Sequence, residues 1–336
     1  MAFNKKAAYG LAAAAVLFSA ARGMQRRFSL KNKVVAITGG SRGLGLALAQ
    51  EFAKRGARLA VCGRNEETLA RARTLLQTAG FQVYTYPCDV RIRQDVERFV
   101  HAVLERYGAL DVLVNNAGTI QYGPMTTMTQ DDYKDAMETH FWGAYYATEA
   151  VLPVMRRKGA GRLVNIASIG GLVSVPHLLP YNASKFALVG YSEGLHAELA
   201  RFNICVTTIC PGLMRSGSPR NAFFKGKNVA EYAIFSLMGT SPFTSMNARR
   251  AAHRVVKACM RGEPRVVLSH PAYALAVLHS LFPNAVQSVF AFANALLPKE
   301  GGIDKNLASG AQSASPLSES VLTALGKKAE IAFNQR

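Results

Sequence analysis

Tyr181 and Lys185 stand four residues apart in the run Tyr181-Asn182-Ala183-Ser184-Lys185. On a helix that spacing puts a phenol and an ammonium on one face, one turn apart. A second constellation is Thr38-Gly39-Gly40-Ser41-Arg42-Gly43-Leu44-Gly45. Its glycines let the backbone turn tightly and come close to a pyrophosphate, and a helix opening behind them offers N–H groups at a positive dipole end. A plain tight turn is the bland alternative. About 20 residues past such glycines, an NAD site carries a carboxylate for the ribose 2′-hydroxyl. Here the position is held by Arg64, in Cys62-Gly63-Arg64-Asn65. Arg42 and Arg64 together suit a 2′-phosphate dianion, because guanidinium forks bind phosphate oxygens in pairs. The expected cofactor is therefore NADP(H); two solvated arginines are the alternative.

The elements that must position these residues alternate. Short apolar runs at Val34–Ile37, Arg58–Val61, Phe81–Tyr86, Leu110–Val114, Arg162–Ala167, Ile204–Ile209 and Arg265–Leu268 read as strands. Between them Leu44–Lys54, Glu66–Leu76, Val96–Tyr107 and a long stretch from Asp131 to Arg157 show helical periodicity. That pattern predicts an α/β fold, a Rossmann-type doubly wound parallel sheet, as a single domain with N- and C-terminal extensions. Ligands in such sheets bind beyond the carboxyl ends of the strands. The residues just past each strand are thus the candidates: the glycine loop, Arg64, Asp89 and Val90, Asn115 to Gly118, Ser168, and Pro211 with Gly212.

Taken together these motifs resemble the short-chain dehydrogenase/reductase family. The T-G-x-x-x-G-x-G loop, the N-N-A-G run at Asn115–Gly118, Ser168 thirteen residues before Tyr181, the Y-x-x-x-K pair and the P-G step at Pro211–Gly212 occur in the family's order, between about Lys31 and Leu268. The resemblance implies hydride transfer between NADP(H) and a carbonyl/alcohol pair, with Tyr181 giving its proton to the carbonyl oxygen or, as phenolate, taking it back. A free tyrosine titrates near ~10, too high for an efficient base at neutral pH; Lys185 and the oxidised nicotinamide are expected to lower it. Ser168 is expected to hold the substrate oxygen and Lys185 to bond the nicotinamide ribose. Gly39, Ser41, Arg42, Gly43, Leu44, Gly45, Arg64, Asp89, Val90, Asn115, Ala117, Gly118, Tyr181, Lys185, Pro211 and Gly212 are expected to contact the cofactor. Asp89 and Val90 would border the adenine, and Asn115 with Gly118 the ribose. One departure stands out: where the family commonly has an asparagine in a proton relay behind the lysine, this chain has His140. Its imidazole could serve that relay or simply pack in a helix. The alternative to an enzyme is a non-catalytic NADP(H)-binding sensor or scaffold, against which the intact Ser168, Tyr181 and Lys185 argue.

Composition bounds the rest. The chain has 336 residues, 49% of them hydrophobic, and carries 40 Lys and Arg against 21 Asp and Glu for a net charge of +19. The basic residues are spread, with no basic-aromatic array, so nucleic acid is not an expected partner; the charge reads either as attraction to an anionic membrane surface or as a generic basic surface with a pocket for a phosphorylated cofactor. The five cysteines have neither zinc nor disulfide spacing, so no metal is expected. Residues 1–30 form an apolar and basic segment whose core, Ala7–Ala21, is short for a span; it reads as a membrane anchor, an ordinary helix or a cleaved signal, with the body on the cytoplasmic face. The catalytic domain is expected over 31–270, with a substrate-lobe insertion at about 213–250, then an apolar helical segment at 271–298, packed on the body or a partner or resting on a membrane. A polar tail follows at 299–336, a linker to Ser320 and then a short helix from Val321 to Phe333. Leu172, Val173, Val175, Leu178, Met214, Phe223, Phe224, Phe235 and Leu237 are the expected substrate lining or else core, implying a hydrophobic carbonyl or alcohol. The resemblance further implies a homo-oligomer.

Overall fold

The computed structural model describes residues 28–336. The apolar segment at 7–21 lies outside the described residues. Seven strands, β1 Val34–Thr38, β2 Arg58–Gly63, β3 Val83–Pro87, β4 Val112–Asn115, β5 Gly161–Ile166, β6 Ile204–Pro211 and β7 Arg265–Leu268, form one sheet in the order β7-β6-β5-β4-β1-β2-β3. Every pairing in it is parallel. The chain reverses its direction of travel at β1, which opens the crevice where a doubly wound sheet binds ligands.

Strand β1 shows why these runs are apolar throughout rather than alternating. Val35 and Ile37 enter the core on one face, and Val34 and Ala36 the core on the other. Helices α1 Gly43–Ala53 and α8 Ala248–Arg261 cover the first face; α3 Arg93–Tyr107 and α5 Gly143–Lys158 cover the second. With water excluded from both sides, every residue of β1 is buried. Helix α2, Glu66–Thr78, opens on Asn65, whose side chain accepts the Thr68 N–H, and α3 closes at Gly108 with φ +70, a conformation open to glycine at no Cβ cost.

One expectation is refined, one needs correction, and one is decided between its two alternatives. The stretch Asp131–Arg157 is helical throughout as expected, but α4, Gln130–Met137, gives way to a π-helical turn at Glu138–Trp142 before α5 begins. The wider turn rotates His140 inward, where it is 2% exposed. Residues 299–320 are not a free linker. Ala308–Ser309 pairs with Phe223–Phe224, and Ser313 and Ser318 are buried, their hydroxyls donating to the Ser309 and Ser315 carbonyls in tight turns. Phe224 and Phe235 are core, the second of the two roles open to them, and not substrate lining. Phe224 and Phe235 pack with Tyr122 and Tyr232 into a separate small core that holds the 213–250 lobe together.

Helix α6, Leu179–Leu199, carries the Tyr181–Lys185 pair, and α7, Asn228–Thr240, forms the lobe. Helices α9 His270–Leu281 and α10 Pro283–Leu296 form a hairpin bent by 120°. Among the described residues no single helix is long and apolar enough to cross a membrane; this pair passes that test only jointly. Helix α11, Ala324–Ala332, returns the chain to the sheet, within the stretch where a short helix is expected.

Candidate active site

A groove of about 320 Å³ runs along the carboxyl ends of the central strands. Gly39, Ser41, Arg42, Gly43, Leu44 and Gly45 line it from the β1–α1 loop, and Arg64 from the end of β2. Asp89, Val90, Ala117, Gly118, His140, Ser168, Tyr181, Lys185, Pro211 and Gly212 complete its walls. Sequence segments as far apart as Gly39 and Gln335 are thus brought to one place.

The glycine loop is closed from within. A Cβ at Gly45 would lie 2.1 Å from the Gly39 carbonyl and 2.6 Å from Asn116 Nδ2, and one at Gly39 would strike the Ala117 backbone at 2.8 Å. Asn116 Nδ2 donates to the carbonyls of Thr38 and Gly39 at 3.1 and 3.0 Å, and Thr38 Oγ1 accepts the N–H groups of Asn116 and Ala117 at 3.0 and 3.2 Å. Thr38 and Asn116 therefore shape the loop, although neither stood out as a site residue; both lie inside the quoted motifs.

Asn115 is not where the resemblance implies. It is buried, and its Nδ2 donates to Asn165 Oδ1 at 2.8 Å, cross-linking β4 to β5 beneath the groove. Successive strand residues face opposite sides, and it is the neighbouring Asn116 that lines the groove.

At the inner end the Ser168 side chain neighbours the Tyr181 phenol, both lining the groove. Burial pushes the Tyr181 phenol up from its ordinary value, with Ser168 opposing the rise. Lys185 is fully enclosed; burial lowers its pKa to about 7, and its Nζ donates to the Ile166 carbonyl at 2.8 Å. The expected lowering joins Lys185 with the oxidised nicotinamide, and the protein groups alone do not supply it. The ammonium, 5.6 Å from the phenol ring centre, is tied to a backbone carbonyl and is itself partly discharged by burial.

His140 does not reach Lys185 by a hydrogen bond. Its Nε2 accepts the Thr119 N–H at 3.1 Å, and Nδ1 lies 2.7 Å from Ser184 Oγ, which donates to the Tyr181 carbonyl at 2.8 Å. An accepting Nε2 leaves the ring proton on Nδ1. Burial, then the nearby Lys185 charge, drives its pKa well below the usual value, so the ring is neutral. These contacts let His140 brace the 119 loop against α6, and they leave both readings of the residue, packed or part of a water-mediated relay, open.

At the outer end Arg42 is half-buried, and its Nη1 donates to Asn221 Oδ1 of the lobe at 2.7 Å. Burial and then Arg64 lower the Arg42 pKa, which records that the two guanidinium groups share a neighbourhood. Asp89 is the nearest carboxylate. Burial would raise its pKa, but Arg91 binds both its oxygens and holds it below the usual range. Among the described residues no group of three or more His, Cys, Asp or Glu side chains is arranged to hold a metal.

Residues 33–224 match the short chain dehydrogenase family model. The chain belongs to the short-chain dehydrogenase/reductase family. A Streptomyces coelicolor protein named for ketoacyl reduction is 41% identical over 187 residues, spanning 55% of this chain and 72% of that protein. Dehydrogenase/reductase SDR family member 7B of Bos taurus is 33% identical over 276 residues, 80% of this chain and 83% of its own length. Among solved structures, a variant of actinorhodin polyketide ketoreductase with NADPH has a TM-score of 0.64 at 32% identity, covering 72% of this chain and 97% of that one. A family member from Burkholderia phymatum in complex with NAD has a TM-score of 0.70 at 25% identity, covering 77% and 96%. This family member is an oxidoreductase that transfers hydride between a nicotinamide cofactor and a carbonyl or alcohol.

Proposed function

We propose that the chain is an NADP(H)-dependent reductase of small hydrophobic carbonyl compounds, working through Ser168, Tyr181 and Lys185. The observation that carries the reading is that Ser168, Tyr181 and Lys185 line the inner end of one groove together, with Lys185 buried one helical turn beyond Tyr181. The reduced nicotinamide supplies the hydride when bound. Ser168 orients the substrate oxygen, and Tyr181, kept protonated by burial, donates the proton that completes the alcohol. A neutral phenol at pH 7 suits reduction better than oxidation. Arg42 and Arg64, beside a glycine loop and with the Asp89 charge already taken by Arg91, support a 2′-phosphate and hence NADP(H) over NAD. The relatives named for ketone reduction, and the NADPH held by one of the similar structures, support the same choice. Met214, Ile120 and Ala222, apolar residues of the groove, favour an uncharged substrate. NADPH oxidation with a panel of apolar ketones tests the reading. Turnover in wild type that disappears in Tyr181→Phe is expected; cofactor binding with no turnover on any carbonyl would turn the chain into a scaffold.

We further propose that the α9–α10 hairpin rests on an anionic lipid surface. No Asp, Glu, Lys or Arg occurs from His270 to Pro298, while Leu281, Phe282, Phe292 and Leu296 are 59–74% exposed. The net charge of +19 complements such a surface. Full-length protein should co-sediment with phosphatidylserine vesicles, and Phe282→Glu with Phe292→Glu should abolish it. Self-association through the hairpin without vesicle binding would overturn the idea.

A further inference from the structure

The groove has a wall outside the matched family region. Past the apolar hairpin the chain runs back over the lobe, and α11 delivers Phe333 into the core beneath the glycine loop, 3% exposed. The Phe333 carbonyl accepts the Gly43 N–H at 2.8 Å. Asn334 Nδ2 donates to the carbonyls of Ser41 and Thr68, each at 2.9 Å, and its Oδ1 accepts from Arg71 Nε at 3.0 Å. Gln335 then turns to the opposite bank. Its Nε2 donates to the Ser216 carbonyl at 3.2 Å, and its Oε1 accepts from Asn221 Nδ2 at 2.8 Å. Asn221 is the same residue that receives Arg42.

Consecutive residues thus fasten both sides of the groove: the glycine loop and α2 on one bank, the 213–250 lobe on the other. Asn334 and Gln335 are 8% and 6% exposed, so these are enclosed polar contacts whose loss leaves unpaired groups. Asn334 has φ +54, a left-handed conformation that asparagine tolerates. Gln335 lines the groove, and a Cβ on Gly43 would lie 2.6 Å from its Nε2. Whatever is held at the Gly43 end of the loop is held against this carboxamide.

We propose that residues 333–335 are a clasp of the dinucleotide site, and that the cofactor enters and leaves only when the Gln335 bridge opens. The inference rests on NADP(H) occupying this groove. It makes Gln335 a cofactor-retaining residue that joins two banks and leaves the chemistry to Tyr181. Opening the bridge breaks its bonds to Ser216 and Asn221, so the barrier appears in the release rate.

The test uses the full chain and NADPH fluorescence. NADPH is displaced by excess NADP+ in stopped flow, for wild type and for Gln335→Ala, with melting curves run in parallel. Release from Gln335→Ala should be about tenfold faster, the effect of losing roughly one strong or two ordinary net hydrogen bonds, while the melting temperature moves little. In wild type, amide exchange across 321–336 should slow when NADPH is added. Release at the wild-type rate from folded Gln335→Ala overturns the clasp and leaves the cofactor assignment standing. If that variant does not fold, exchange in wild type decides, and exchange unaltered by NADPH is equally fatal to the clasp. A wild type that binds no NADPH at all removes the cofactor assignment and the clasp together.

Discussion

Lys185 Nζ donates to the Ile166 carbonyl at 2.8 Å, so the one cation beside Tyr181 is anchored to the end of β5 rather than to the phenol. Its pKa, about 7, lies below its ordinary value of 10.5 because burial penalises the charged form. The unfolded chain therefore binds this proton more readily than the native one between those values, and stability contributed by Lys185 rises with pH. His140, also lowered by burial, acts below 6.5, and the buried Cys62, Cys210 and Cys259, raised by their surroundings, act above 9. The window from pH 7 to 9 is thus dominated by Lys185. Wild type should grow more stable to denaturant across it, and Lys185→Met should show a flatter profile. Parallel slopes in the two proteins would contradict the assignment.

His140→Ala removes the acceptor for the buried Thr119 N–H. An unsatisfied buried donor costs about 1–3 kcal/mol, and the 119 loop should loosen. Stability is expected to fall by that order and kcat with it, while the shape of the pH–rate profile stays that of wild type. A shifted acid or base limb would instead place His140 in the proton path.

Arg64 is exposed and, among the described residues, makes no hydrogen bond or ion pair, which leaves its fork available to a phosphate. Charge-assisted bonds contribute roughly 1.5–3 kcal/mol, so Arg64→Ala should weaken NADPH by about 10- to 100-fold. NADH, lacking the 2′-phosphate, should change by less than about threefold on the same scale. Titration of both cofactors against both proteins decides it. Equal losses would mean that Arg64 holds something common to the two.

What the sequence disclosed was local. Val34–Ile37 followed by glycines, and Tyr181 one turn before Lys185, carry their signals within a few residues, and the structure assembles them as those signals require. What it concealed depends on direction or distance. Asn115 and Asn116 are adjacent and identical in type, and only the strand's facing decides which one lines the groove. Phe224 is as apt for a pocket as for a core until Tyr122 and Tyr232 are seen around it. Gln335 stands 292 residues from Gly43 in a stretch whose composition reads as a tail, so no local pattern could announce the contact.

The 213–250 lobe is also pinned by a buried ion pair. Lys225 Nζ donates to Asp132 Oδ2 at 2.6 Å, with the two side chains 4% and 9% exposed, and the same oxygen accepts the Thr129 N–H that starts α4. Lys225→Met should be strongly destabilising, by about 3–5 kcal/mol, because it strands a carboxylate away from water. Asp132→Asn keeps an acceptor for the Thr129 cap while removing the charge. Combined with Lys225→Met it should therefore recover much of the loss, leaving the double variant more stable than Lys225→Met alone. Denaturant unfolding of the three variants and wild type gives the coupling directly. If the two substitutions simply add, the pair's attraction contributes nothing to holding the lobe, and the Tyr122–Phe224–Phe235 core and the Gln335 bridge must secure it over the groove.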